Sequence, residues 1–205
     1  GAADMGTGCD TILAQMAAEL MDCNVEDVAV FGADTDVSPY DSGSYASSTT
    51  YITGMAVVKA CNDLKKRICS IAAGMMDCEE EAVEFASTCV RRINTDQTVS
   101  LTDIAYKAQV CNTTPAESTQ THTSPVSPPP YMVGMVEIEL DKLTGKVDII
   151  DYMAVVDCGI PINPALARIQ TEGGIVQGIG HTLMENVTYD EKGKPMESAF
   201  MQYKI

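Results

Sequence analysis

Apolar residues recur every three to four positions at Ile12, Leu13, Met16, Ala17 and Leu20, which predicts a helix over 9–20 with Asp10 or Thr11 as its cap. A short apolar run at 28–31 predicts a strand. Residues 34–50, DTDVSPYDSGSYASSTT, are polar and turn-rich, and the amphipathic run AVVKACNDLKKRI then predicts a second helix over 51–71. That loop is long for a mere connector. A third helix is expected from near Cys78 to Arg91 and Arg92, with Glu79, Glu80 and Glu81 in its first turn, where carboxylates oppose the positive end of the helix dipole. The plain reading of this acidic cluster is a solvated helix start. Ser100 and Asp103 have the spacing of a capping box for a short fourth helix, LTDIAYKAQ.

From 112 to 130 the chain reads NTTPAESTQTHTSPVSPPP, a composition that disfavours regular structure and marks a linker or an extended strap. We therefore expect a first lobe over 1–112, a linker over 113–130 and a second lobe over 131–205. In the second lobe, MVGMVEIEL and KVDIIDYMAVV alternate in the strand period around DKLTG, a hairpin signal with Gly145 at the turn. A helix is expected from Pro164, the favoured first-turn position, through ALARIQTEGGIVQGIGHTLMEN. Another hairpin is expected at VTYDEKGKPM, and FMQYKI reads as a strand cut midway. Together with a start that lacks Met, this ending leads to the expectation of a segment of a larger polypeptide, truncated at its C-terminus.

Composition narrows the partners. Thirteen Lys+Arg against 29 Asp+Glu give a formal net charge of -16 over 205 residues, which repels phosphate backbones and anionic membrane surfaces at long range. Nucleic acid and membrane are excluded as expected partners. A single nucleotide is not, because an array of main-chain N–H groups binds phosphate without Lys or Arg. The eight cysteines, Cys9, Cys23, Cys61, Cys69, Cys78, Cys89, Cys111 and Cys158, include no C-x-x-C pair suited to zinc or an iron–sulfur cluster. They read as small buried hydrophobes in a reducing cytoplasm, with neither a signal peptide nor a membrane span in sight.

Three stretches place glycines or small hydroxyl residues at a loop-to-helix junction: 5–11, 42–50 and 169–180. The first N–H groups of a helix lack intrahelical partners and point toward any bound anion, and glycine permits close approach. Each stretch read alone is more simply an ordinary cap or turn. The third helix-like stretch carries Gly173, Gly174, Gly178 and Gly180 beside Gln170, Glu172 and Gln177, although an interior glycine costs about 1 kcal/mol against alanine. Two readings of that cost stay open: close packing against a neighbouring element, or access for a flat cofactor whose polar edge an amide such as Gln170 satisfies. His122 falls in the linker. His181, with Gln177 and Glu185 one turn away, reads as a structural residue. No Ser/His/Asp order, Walker lysine loop or strand-linked GxGxxG is present.

Taken together, GAADMGTGCDTILAQMAAEL, DTDVSPYDSGSYASSTTYITGMAV and PPPYMVGMVEIELDKLTGKVDIIDYMAVVDCGIPINPALARIQTEGGIVQGIG resemble the C-terminal part of the molybdopterin-binding subunit in the molybdenum hydroxylase family, that of xanthine dehydrogenase and aldehyde oxidase. The resemblance runs over essentially the whole chain. It implies an α+β fold of mixed sheets and packed helices and a molybdopterin cofactor with molybdenum, in the cytosine dinucleotide form usual in bacterial members. Carried over by position, it makes Gly6, Thr7 and Gly8 the first cofactor loop, Ala46, Ser47, Ser48, Thr49 and Thr50 the second, and Gln170 a side-chain contact. Iron–sulfur and flavin centres are expected on other domains or subunits, which together with the rest of the molybdenum subunit are the implied partners.

Two departures stand out. The family commonly has Gln where Thr7 stands, and Ile169 takes a place where glycine is frequent. The family's base is a glutamate in a GxGE-like loop, and neither Glu172 nor Glu185 matches it, so no catalytic residue is assigned. That loop is expected beyond Ile205. The implied activity is hydroxylation of an aromatic heterocycle, purine- or nicotinate-like, or of an aldehyde, with water as oxygen source, and this segment alone is expected to be inactive. A structural or assembly module of the same ancestry, without cofactor, is the alternative.

Overall fold

The computed structural model describes residues 1–110 and 116–205. Cys111 and the expected lobe boundary at 112/113 lie outside the described residues. Two compact units divide at Ser127 and Pro128.

In the first unit, α1 (Cys9–Met21) packs on the long helix α2 (Thr49–Met75). The expected apolar stripe of α1 is rotated: Cys9, Leu13, Ala14 and Ala18 are buried, while Ile12, Met16, Ala17 and Leu20 are half-buried. Small residues let the helices approach closely. Gly54 of α2 is buried against Met16, whose Sδ and Cε would both lie 2.8 Å from a Cβ there. Residues 28–31, expected as a strand, form none; the chain instead lies extended and donates from Ser38 Oγ back to the Phe31 carbonyl at 2.9 Å.

The expected third helix is a β-meander. A single 3-10 turn (Glu80–Ala82) leads into β1 (Val83–Ala86), β2 (Cys89–Arg92) and β3 (Thr98–Ser100), antiparallel in the order β1-β2-β3. The reason is local: the stretch is rich in Val and Phe with alternating burial, and Ser87 and Asn94 hold the turns at φ 52° and 60°. Glu80, read as part of a helix start, accepts from Ser70 Oγ at 2.6 Å. The capping reading was sound for α3 (Leu101–Val110): the Asp103 N–H donates to Ser100 Oγ at 3.1 Å, and that hydroxyl donates to Asp103 Oδ2 at 2.6 Å. Ile68, Ala72, Ala73 and Met76 of α2 and its end, Val83 and Val90 of the sheet and Ile104 of α3 form the core. Residues 116–127 lie along α2, where Ser118 Oγ donates to Asp63 Oδ2 at 2.7 Å and Lys59 Nζ to the Thr121 carbonyl at 3.3 Å.

In the second unit, β4 (Tyr131–Leu140) and β5 (Val147–Asp157) form the expected antiparallel hairpin, with Gly145 at φ 76° and a bulge between Glu137 and Ile138. Asp141 organises its turn, accepting from Leu143 N–H at 2.8 Å and Thr144 Oγ1 at 2.7 Å. α4 (Pro164–Leu183) starts where proline predicts, and Asn163 Oδ1 caps it by accepting from Leu166 N–H at 3.1 Å. The expected hairpin at 187–196 is present but short: Tyr189 bridges Pro195 antiparallel, with the Asp190 N–H donating to the Lys194 carbonyl at 3.0 Å and the Met196 N–H to the Thr188 carbonyl at 2.9 Å. Residues 200–203 form a turn, and no strand forms over 200–205. Among the described residues no helix is long and apolar enough to cross a membrane.

Candidate functional site

The first glycine loop is tied together by its own carboxylate. Gly6 and Gly8 stand at φ 92° and 77°, the left-handed region where glycine is free of Cβ strain, and they turn the chain back over Asp4. Asp4 Oδ1 accepts the N–H groups of Gly6 at 2.8 Å and Gly8 at 3.2 Å, and Oδ2 accepts that of Asp10 at 3.3 Å. The N-cap position of α1 is Gly8, which has no side chain to offer, rather than Asp10 or Thr11 as expected. Asp4 supplies the missing acceptor from upstream. The Asp4 carboxyl is exposed; partial desolvation by the loop pushes it up, but the N–H groups of Asp10, Gly6, Gly8 and Thr7 together outweigh this and hold the group below its ordinary value. Main-chain donors expected to be unpaired are therefore already paired at this bend.

Ligand-type atoms of Asp4, Cys9 and Asp10 all lie within 4.8 Å of one another. Both Asp4 oxygens are occupied by N–H groups, and desolvation followed by the Asp4 and Asp10 charges pushes the Cys9 thiol up, away from the thiolate a metal would need. The trio reads as loop architecture. Beside it, Thr7 Oγ1 is buried and has no hydrogen-bond partner. The hydroxyl lies near enough to Cys9 to oppose the rise of its thiol, without a hydrogen bond of ordinary geometry.

The second loop is joined to the first through one residue. Ala3 N–H donates to Asp41 Oδ2 at 3.2 Å, and Ser44 Oγ donates to the Ala3 carbonyl at 2.9 Å. The segment is seated from its other side by Ala2 N–H donating to the Gly32 carbonyl at 2.8 Å. Clearance is minimal: a Cβ on Gly32 would come within 2.1 Å of the Ala2 carbonyl oxygen, and one on Gly1 within 2.3 Å of that of Pro39. Further along, Ala46 and Ser47 both take φ 54°, a conformation unfavourable for residues with a Cβ. They deliver the chain into α2, whose N-cap residue Ser48 turns its hydroxyl back onto the Tyr45 carbonyl at 2.7 Å and caps nothing. At this bend the first N–H groups, those of Thr49, Thr50 and Tyr51, keep no intrahelical acceptor.

Gln170 belongs to the second unit, on α4, and is exposed. Gly173, Gly174 and Gly178 share its helix face by their spacing, and a Cβ on any of them would meet nothing within 4 Å. Gly180 differs: it is buried, and a Cβ there would stand 3.1 Å from Glu185 Oε1. Glu172 pairs with Arg168 at 2.6 Å one turn away, and Glu185 accepts a short hydrogen bond from the Tyr203 hydroxyl. His181 is exposed in the last turn. Sequence reasoning missed Asp4 and Asp41, yet a signal was available. Asp precedes Gly by two positions at Asp4, Asp41 and Asp157, and each carboxylate accepts that glycine's N–H.

Residues 1–205 match the family described as the molybdopterin cofactor-binding domain. Among curated proteins, the "Probable hypoxanthine oxidase XdhD" of Escherichia coli (strain K12) is 34% identical over 204 residues, covering 99% of this chain and 21% of that protein. The 6-hydroxypseudooxynicotine dehydrogenase complex subunit gamma of Paenarthrobacter nicotinovorans is 32% identical over 211 residues, covering 100% of this chain and 27% of that one. Among solved structures, a Cu,Mo-CO dehydrogenase superposes with a TM-score of 0.82 at 24% identity, over 100% of this chain and 26% of its own, a likeness of fold. The chain thus spans between a fifth and about a quarter of the relatives it matches. With the match running from end to end, the chain belongs to the molybdopterin cofactor-binding domains of the molybdenum hydroxylase family.

Proposed function

We propose that this chain is the cofactor-holding part of a molybdenum hydroxylase, with Gly6, Thr7 and Gly8 as one contact loop, Ala46, Ser47, Ser48, Thr49 and Thr50 as the other, and Gln170 as a side-chain contact from the second lobe. The observation that supports the reading is Ala3, which binds Asp41 and Ser44 and so ties the segment leading into the first loop to the segment leading into the second. The residues suit a polar, anionic group. A buried hydroxyl without a partner on Thr7 can donate to it, the space above Gly6 is open for it, and the uncapped start of α2 offers it main-chain donors and the positive end of a dipole. This explains how a chain of net charge -16 holds an anion. The bound molybdopterin, in its cytosine dinucleotide form, supplies the redox centre. The chain's own residues would bind and orient it, with the Oγ1 of half-buried Thr7 already shielded from water.

The substrate class that fits this reading is an aromatic heterocycle, purine- or nicotinate-like, or an aldehyde, hydroxylated with water as oxygen source in the cytoplasm. A relative named for hypoxanthine supports the heterocycle, and one named as a complex subunit supports partner subunits, on which or on further domains the iron–sulfur and flavin centres of this reading would sit. Measuring molybdenum and cytidine nucleotide in the native protein tests the proposal. An active preparation free of both refutes it. A second reading, an assembly module without cofactor, is favoured by Thr7 in place of Gln and by the Asp4 carboxylate that fills the first loop's donors. Only that reading predicts a native complex in which the pterin nucleotide is absent while the subunits still associate.

A further inference from the structure

The two bends that the sequence presents as alike are built in opposite ways. At the start of α2 the main-chain donors are open and no side chain caps them. At the start of α1 an internal anion is already in place, with Asp4 accepting from Gly6, Gly8 and Asp10. A second anion brought to the same N–H groups would meet a full carboxylate at contact distance and be repelled. The glycine loop therefore has no main-chain donor left at Gly6 and Gly8. Between them stands half-buried Thr7, whose Oγ1 is shielded from solvent and has no partner, so that it is the one polar group of the loop still unsatisfied. Asp4 fixes both glycines by one oxygen, so it sets the position of the residue they flank.

We propose that Asp4 is the positioning residue of the cofactor loop: it locks the main chain on both sides of Thr7 so that the hydroxyl, rather than the loop's N–H groups, meets the bound group. The inference rests on the cofactor-holding reading above. It also assigns the two loops different tasks, side-chain contact at the first and main-chain contact at the second.

The test uses the native protein carrying this chain, in wild type, Asp4→Asn, Thr7→Val and Ile104→Val forms. Ile104 lies in the core between α3 and the sheet and serves as a control for plain destabilisation. Three readouts are taken: bound pterin nucleotide by mass spectrometry, thermal midpoint, and amide exchange of the 5–11 segment. The expected result for Asp4→Asn is exchange at 5–11 about tenfold faster, because an amide offers one acceptor oxygen and turns N–H groups toward the loop's donors. Nucleotide content falls by more than half in Asp4→Asn and in Thr7→Val, and is unchanged in Ile104→Val even where its thermal midpoint drops as far. Unchanged exchange in Asp4→Asn overturns the proposal, and so does faster exchange with full nucleotide content. Nucleotide loss that simply follows the thermal midpoint across all variants also overturns it. A wild type without pterin nucleotide defeats the cofactor-holding reading itself, and the exchange readout then still reports whether Asp4 holds the loop.

Discussion

Replacing Gly32 by alanine tests whether the N-terminal segment is the clamp between the two loops. The new Cβ would stand 2.1 Å from the Ala2 carbonyl oxygen and 3.2 Å from Asp10 Oδ1. The first neighbour is main chain, so no rotamer change relieves it, and the segments must separate by more than an ångström to reach ordinary contact. That displacement breaks the 2.8 Å bond from Ala2 N–H to the Gly32 carbonyl, worth about 1 kcal/mol net. It also unseats Ala2, now only 5% exposed, whose methyl contributes about 0.8 kcal/mol by burial. Overpacking strain adds about 1–3 kcal/mol, and the lower unfolded-state entropy of alanine returns about 0.4–1 kcal/mol. The expected net loss is therefore about 2–4 kcal/mol. Because Ala3 also holds Asp41 and Ser44, the loosening should spread to the second loop. Denaturant unfolding gives the stability, and amide exchange mass spectrometry gives the spread, with faster exchange expected at both 1–13 and 41–50. A Gly32→Ala protein with unchanged midpoint and unchanged exchange would refute the clamp.

Truncating Ile104, 1% exposed at the centre of the core, to alanine should cost about 2–5 kcal/mol in denaturant unfolding, since helix, sheet and α3 meet there. Asn163→Ala removes the acceptor for Leu166 N–H at the start of α4 and should cost about 0.5–2 kcal/mol, read as a lower midpoint with faster exchange confined to the first turn of that helix. The folded-state pKa of Asp4 lies below its ordinary value of 3.8, so its hold on the loop is fully present above that value and is lost as pH falls through the lower folded one. Asp63 and Asp141 are lowered too, by hydrogen bonds from Ser118 and Arg67 and from Thr144 and Leu143 respectively, and add to the same trend. Stability measured from pH 6 downward should stay level until about pH 4 and then decline.

What could be read from the sequence follows the physics of each element. Long segments with a consistent period were legible: α1, α2, α3, the β4–β5 hairpin and α4 all form in the segments that periodicity marked, with the cap of α3 and the proline start of α4 also as expected, although α1 is capped from Gly8 rather than from Asp10 or Thr11. The meander at 83–100 was misread because Glu79–Glu81 imitates a helix start, while the β-branched residues behind it favour strands that only the packing of α2 can stabilise. The rotation of the α1 stripe was not legible either, since the buried positions are Cys9, Leu13, Ala14 and Ala18, three of them small, while Met16 of the expected stripe is half-buried against Gly54. At the site, the glycines and hydroxyls were visible as a class. Their difference was not, because it depends on two aspartates that act at short range, each through a glycine two residues on. A search for donors overlooks an acceptor already sitting among them. The glycines of α4 remain the opposite case: no neighbour among the described residues accounts for Gly173, Gly174 or Gly178.

The central claim is that the two loops joined through Ala3 form one holding surface for a pterin nucleotide. The direct measurement is amide exchange of the native protein with its cofactor bound and after its removal, followed at 1–13 and 41–52. The account predicts slower exchange in both segments together when the cofactor is present, with α3 indifferent. Equal exchange with and without it, or protection at one loop alone, would contradict the account.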